Sequence, residues 1–151
     1  MIRDMDKKIV SDGTYVFRQT LTWNLENPRV CWILHHPIPE GESDPERDAA
    51  IYLSQGMGYG SADISYLFGL PVSVGVDLGV VRSPIGPGTL YHMLEAATDS
   101  EKIFRAWGDG SLLGRDKVVL YTLKNFGFPT ERLGVTEGHP STPLDVVKER
   151  S

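Results

Sequence analysis

The sequence holds one cysteine, Cys31, so no disulfide forms within the chain, which fits a reducing compartment. Cys31 sits in the apolar run Val30-Cys31-Trp32-Ile33-Leu34. No polar or cationic neighbour in that run would acidify its thiol, so it reads as a small buried hydrophobe and not as a nucleophile. No apolar stretch approaches the length of a membrane span, and the first eight residues lack the apolar core of a signal peptide. A cytoplasmic location is expected, in a cell or in a phage-infected host, with no membrane partner.

A surplus of positive charge is also missing. Fifteen Lys and Arg stand against 20 Asp and Glu, for a net charge of −5. A duplex-DNA binder carries a basic stripe to neutralise phosphates; here the cations are scattered along the chain. The charge is too small and too mixed for a DNA mimic. No Walker sequence and no Gly-x-Ser-x-Gly elbow occurs, which excludes the common nucleotide hydrolases and the α/β-hydrolases. Gly56-Met57-Gly58-Tyr59-Gly60 follows a predicted helix and precedes a predicted strand, the reverse of the dinucleotide-binding order. A zinc site built from His36, Asp44 and His139 has no His-x-x-x-His or Cys-x-x-Cys spacing behind it. No metal or cofactor is expected.

What the chain does have is an ordinary globular composition, 40% apolar and 23% charged over 151 residues. That suffices for one domain with its own core. The expected layout is an irregular tail over residues 1–13, a single domain over 14–147 and a tail over 148–151. Tyr15, Phe17, Leu21, Trp23 and Leu25 share one parity, as in a half-buried strand. Residues 29–35 carry the continuous apolar run Val30 to Leu34, as in a central strand buried on both faces. Ser43 or Asp44 caps a helix that has Pro45 at its first position and runs to about Gln55.

Ala62 to Leu67 reads as a third strand. Val72 to Val80 alternates with period two but is interrupted by glycines, which predicts a loose hairpin or an edge segment. Thr89 caps a helix over 90–97, and Ile103 to Trp107 is a fourth main strand. A helix spans 115–126 with Gly127 just past its end, and Leu133 to Thr136 is a short last strand. Strands alternating with helices predict an α/β fold, a three-layer α/β/α sandwich around a mostly parallel sheet.

In such sheets ligands bind beyond the carboxyl ends of the strands, here segments 35–44, 66–71, 107–110 and 136–143. Those segments carry His35, His36, Asp44, Tyr66, Phe68, Trp107, Gly108, Asp109, Glu137, His139 and Ser141. Such a set suits a flat, polar-edged ligand: aromatic rings stack on a base, while His, Asp and Ser read its edges. Each also has a plainer reading. Adjacent histidines in an extended segment face opposite sides, so one of the pair lines the site, and His36, at the turn before Pro37, is the choice. Tyr66, Phe68 and Trp107 double as core residues.

The ordered segments resemble the bacterial and phage proteins grouped as domain of unknown function family 1643 (DUF1643). Arg18-x-x-Leu21-x-Trp23 resembles the family's opening strand. Ile33-Leu34-His35-His36-Pro37 falls where it has an apolar strand ending in Asn-Pro-Ser, and Ser43-Asp44-Pro45 falls at its Asp-Asp-Pro-Thr. Gly58-Tyr59-Gly60, Asp63-Ile64-Ser65-Tyr66-Leu67-Phe68, Pro84-Ile85-Gly86-Pro87 and Ala106-Trp107-Gly108 follow in the family's order. Leu133-Gly134-x-Thr136-x-Gly138-His139-Pro140 closes the series, so the likeness covers about residues 15–146. His36 and Tyr66 replace two of the family's Asn residues, and its Asn after Gly-Pro is missing near Gly88. If those Asn residues carry the family's chemistry, this chain is altered or inactive.

The layout has a more distant resemblance to uracil-DNA glycosylase-like folds, which place a polar residue after the first core strand and a His-Pro-Ser loop near the end. His36 and His139-Pro140-Ser141 fall in similar places. The resemblance implies a nucleobase- or nucleotide-directed protein with a glycosylase-like site. Asp44 or His36 would orient a water and His139 would stabilise charge on a base oxygen. Tyr66, Phe68 or Trp107 would stack on the base, with Gly108 and Ser141 alongside. Two other readings stay open: a non-catalytic nucleotide- or nucleoside-binding module that sequesters or senses, and a structural or partner-binding protein with a decayed site. Whether the chain is an enzyme, and its oligomeric state, are not decided by the sequence.

Overall fold

The apolar residues from Val30 to Leu34 can be covered on both faces only in the middle of a sheet, and that is where they lie. The computed structural model describes residues 5–134 and 138–150. β1 is Asp6–Ser11, β2 Val16–Thr22, β3 Arg29–Leu34, α1 Pro45–Gly56, β4 Ser61–Tyr66 and α2 Thr89–Thr98. They are followed by β5 Lys102–Arg105, α3 Arg115–Asn125, β6 Glu131–Arg132 and α4 Pro143–Glu149. The strands form one six-stranded sheet in the order β1-β2-β4-β3-β5-β6.

The sheet is mixed. β4, β3, β5 and β6 run parallel to one another, but β2 pairs antiparallel with β4 and β1 antiparallel with β2. The mostly parallel sheet expected from strand–helix alternation is corrected on this side. The reason is that no helix separates β2 from β3, nor β1 from β2, and a parallel pair needs a long crossover.

Alternating side chains of the sheet feed two cores. Val30, Trp32, Leu34, Ile64 and Phe104 meet Ala50, Ile51 and Leu53 of α1 and Val146 of α4. Cys31, Ile33 and Ile103 meet Met93, Ala96 and Ala97 of α2 and Val119 and Leu123 of α3. Helices thus cover both faces. The Trp32 indole N–H donates to Ser54 Oγ at 2.7 Å, which satisfies the one polar atom of a fully buried ring and ties α1 to the central strand. No helix among the described residues is long and apolar enough to cross a membrane.

Asp63 is a fully buried carboxylate in the middle of β4. It accepts from Arg18 Nε at 2.9 and 2.8 Å, with Arg29 Nη1 at 3.6 Å. Arg18 also reaches Asp99 at the end of α2, at 2.8 Å. A charge sealed in a core is tolerated only when paired and hydrogen-bonded in this way.

Other expectations are corrected. The expected tail over 1–13 contains β1, a polar edge strand exposed along most of its length; its Lys7 and Lys8 guard the edge against further pairing. The expected tail after Val147 is the last turn of α4. Its start was written in Thr142-Pro143-Leu144-Asp145, a capping signature, and the Thr142 hydroxyl accepts from Asp145 N–H at 3.2 Å.

Val72 to Val80 forms no strand. It holds turns and one 3₁₀ turn, Leu78–Val80, because Gly75, at φ +87°, breaks the alternation. Thr89 is not the cap of α2. Gly88 takes that place, and the Thr89 hydroxyl donates back to the Gly86 carbonyl at 2.6 Å. The last strand is Glu131–Arg132, one turn of chain earlier than Leu133 to Thr136; Thr136 itself lies outside the described residues. Asp44 caps α1 and Pro45 opens it, as the sequence predicts.

Candidate functional site

β3 stops at Leu34 and β5 at Arg105. Past these carboxyl ends the chain turns outward and leaves a cleft of about 230 Å³. His35, His36 and Ile38 come from the end of β3, and Ala106 and Trp107 from the end of β5. The start of α1 adds Asp44 and Glu46, and the start of α4 adds Thr142 and Leu144. Val74 and Gly75 form an outer wall.

Both histidines line this cleft, with ring centroids 5.3 Å apart and planes nearly perpendicular at 82°. Alternation along an extended strand allows only one of them, but the strand ends at Leu34, so alternation does not apply here. His35 lies against the Phe68 ring at 5.2 Å. Burial pushes its pKa down to about 4, with His36 adding to the effect and the Asp109 main chain opposing it. His35 is therefore a neutral imidazole at physiological pH. His36 Nδ1 is 2.9 Å from the Pro37 carbonyl. In the neutral ring that nitrogen must carry the proton to donate it, which leaves Nε2 with the lone pair.

Two carboxyl groups share the cleft. Asp44 accepts from Arg47 N–H at 3.2 Å as the cap of α1. Burial raises its pKa against the pull of that bond. Glu46 accepts from Leu144 N–H at 2.8 Å and so ties α1 to the first turn of α4; burial raises its pKa also. An imidazole held neutral beside carboxyl groups that burial biases toward the protonated form is a combination that general acid–base chemistry uses.

Of the residues singled out in the sequence, the fold brings His36, Asp44 and Trp107 together in the cleft. Gly108 and Ser141 are buried and do not line it. Gly108 adopts φ +68°, and an added Cβ there would approach Thr142 Cγ2 at 3.1 Å. His139 is exposed and does not line the cleft; its Nδ1 lies 3.1 Å from the Pro140 carbonyl. Asp109 is exposed as well, its carboxyl pKa held down chiefly by Ser111. Tyr66 and Phe68 are core residues, 1% and 0% exposed. The Tyr66 hydroxyl accepts from Gln19 Nε2 at 2.7 Å, and Phe68 backs His35. Glu137 lies outside the described residues. Glu46 and Thr142 were missed, although both carry helix-start signals that the sequence displays. No group of three or more His, Cys, Asp or Glu placed to hold a metal occurs among the described residues.

Fold and cleft together define an α/β domain whose candidate site sits at the carboxyl ends of its parallel strands, where such sheets bind ligands. The chain belongs to the family described as protein of unknown function (DUF1643), which matches residues 15–144. No curated protein and no solved structure matches it. β1 precedes the matched segment, so the family's share of the sheet begins with β2.

His35 gives a direct check on this geometry. Its folded pKa lies below the unfolded value of roughly 6.5. Its contribution to stability is therefore complete above that value and is lost as pH falls toward 4. In a proton NMR titration the His35 Hε1 resonance is expected to move with a midpoint near 4. A midpoint at or above 6 would mean that the ring is not sealed against Phe68.

Proposed function

We propose that the cleft binds a nucleobase, free or as part of a nucleotide. The observation that carries the reading is the meeting of two imidazoles, a buried carboxyl group and an indole in one small hollow beyond parallel strand ends. Drug-sized ligands occupy roughly 300–1,000 Å³; 230 Å³ is the scale of a single flat ring system. Imidazole and carboxyl groups supply both donors and acceptors for a base edge. In a glycosylase-like reaction His36 Nε2 would take the proton of an attacking water, and Asp44 in its protonated form would donate to a base oxygen or nitrogen. This arrangement gives the base-stabilising role to Asp44, because His139 lies outside the cleft. If His36, standing in place of the family's Asn, has removed the chemistry, the same groups sequester or sense the base.

A thermal-shift screen of the intact protein against nucleobases, nucleosides, mono- and cyclic nucleotides, short single-stranded DNA and divalent metals tests the reading. A ligand that binds only the folded state raises the melting temperature by mass action. The shift is expected with one base class and is expected to vanish in His36→Ala. A flat response to the whole panel would remove the nucleobase reading.

One observation favours a different class. Val74, Val76 and Val80 are 65%, 48% and 80% exposed on the segment beside the cleft. Clustered exposed valines suit a protein partner. A flat screen would move the assignment there.

A further inference from the structure

On the α3 face of the sheet, two arginines stand side by side. Arg105 of β5 and Arg132 of β6 are register partners on parallel strands, so their side chains leave from the same face. Like charges in that relation repel. Arg105 has the same parity as Ile103, which packs in the α2–α3 core, and its side chain enters a groove of about 470 Å³ under the last turns of α3. Tyr121, Lys124 and Phe128 line the same groove.

Arg105 has no carboxylate partner among the described residues, and its Nε is buried without an acceptor. Arg132 spends one Nη2 hydrogen bond on the His139 carbonyl at 2.8 Å. Glu131, the acid on the same strand, is paired with Lys102 at 3.0 Å and by alternation belongs to the opposite face. Burial and Arg132 both push the Arg105 guanidinium pKa down. A half-buried cation with no counter-ion among the described residues leaves its guanidinium open to an anion from outside.

The exposed side of α3 continues the pattern. Lys117, Tyr121 and Lys124 are spaced i, i+4 and i+7, form one stripe and are all exposed. Cations interleaved with an exposed aromatic ring are the elements of a nucleic-acid strand site, the ring stacking on a base while the cations follow the phosphates. This local patch runs against the chain's net charge of −5.

We infer that the groove between β5 and the end of α3 binds the phosphate of a nucleotide, with Arg105 as its donor, Lys124 at its rim and Arg132 beside it on the neighbouring strand. The phosphate belongs to a free nucleotide or to a single strand. The inference rests on the nucleobase reading of the cleft only for the identity of the whole molecule; the anion site stands on the unpartnered Arg105 in the groove with Lys124. A cleft of single-ring scale leaves a phosphate to be bound elsewhere; Arg105 lines the groove, and the next two residues, Ala106 and Trp107, line the cleft.

The test is titration of the intact protein, followed by calorimetry and by amide NMR shifts. The probes are inorganic phosphate, the nucleosides and 5′-monophosphates of the common bases, and a single-stranded oligo(dT) of about eight nucleotides. Monophosphates are expected to bind about ten-fold or more tightly than nucleosides, with affinity falling as salt rises and with shifts at β6 and the end of α3. Arg105→Gln is expected to abolish that preference without lowering the melting temperature. Lys124→Gln, at an exposed position, serves as the second variant and is expected to weaken it. Tighter binding of the oligonucleotide than of the monophosphate would identify a strand as the source, and equal binding a free nucleotide.

No preference for monophosphates, or a preference intact in Arg105→Gln, would overturn the proposal. Failure of the cleft reading looks different. Inorganic phosphate would still shift the α3 face, in His36→Ala as in the native chain, while no nucleoside bound.

Discussion

Asp63→Ala is expected to lower unfolding stability by about 3–5 kcal/mol, the usual result of removing one member of a buried ion pair. Arg18 is only 11% exposed and would keep Asp99, at the half-exposed end of α2, as its main acceptor. The cost lies in the charge left behind more than in the bond lost. A double replacement, Asp63→Leu with Arg18→Met, is therefore expected to recover much of the loss, because no buried ion then needs a partner. For a chain of this length about 4 kcal/mol corresponds to roughly 8–16 °C in melting temperature. Urea unfolding of the single and double variants measures both values. A loss under about 1 kcal/mol in Asp63→Ala would mean that water reaches Arg18 and that the pair is not sealed.

Gly60→Ala is expected to cost at least about 3 kcal/mol, at the upper end of overpacking effects. A Cβ at Gly60 would lie 1.8 Å from the Asn24 carbonyl oxygen and 2.9 Å from Asn27 Cβ. The first of these is backbone and cannot rotate away. Gly60 also donates to the Pro28 carbonyl at 2.8 Å and accepts from Trp23 and Asn24 N–H at 3.0 Å. It pins the β2–β3 turn to the start of β4, so the clash has no free direction of relief. Gly58→Ala makes the useful contrast. Nothing lies within 4 Å of its Cβ position, and only its φ of +88° resists a side chain, a cost of about 1–2 kcal/mol. If the two variants unfold alike, steric exclusion at Gly60 is not the reason for glycine there. The Gly58-Tyr59-Gly60 motif thus has a structural explanation on two different grounds, one of conformation and one of space.

The parts of the fold that the sequence displayed well were those where local and global preferences agree. The unbroken apolar run of β3, the Asp44-Pro45 start of α1 and Gly127 after α3 each state their role in a few residues. β1 was hidden because an exposed edge strand has no apolar face to betray it. Val72 to Val80 misled for the opposite reason: its period is that of a strand, but turn residues override it, and Val74, Val76 and Val80 face solvent. In the site, position was legible and orientation was not. Sequence order put His36 and Trp107 just past β3 and β5 and Asp44 at the start of α1, where the structure also has them. Nothing in it distinguished Trp107, buried yet lining the cleft, from the sealed rings of Tyr66 and Phe68, since packing is decided by elements from elsewhere in the chain. Arg105 and Arg132 lie 27 positions apart, and only the register of β5 and β6 makes them neighbours.

Asp44 holds two positions at once, as cap of α1 and as a wall of the cleft. One proton serves both. A ligand that draws the carboxyl toward its neutral form also weakens the acceptor that closes the first helical turn, and a ligand that favours the anion tightens it. Occupancy of the cleft by such a ligand would be thermodynamically linked to fraying at the start of α1, and through Glu46 to the first turn of α4. A ligand in the cleft would therefore bear on both helices of that face, through Asp44 and Glu46.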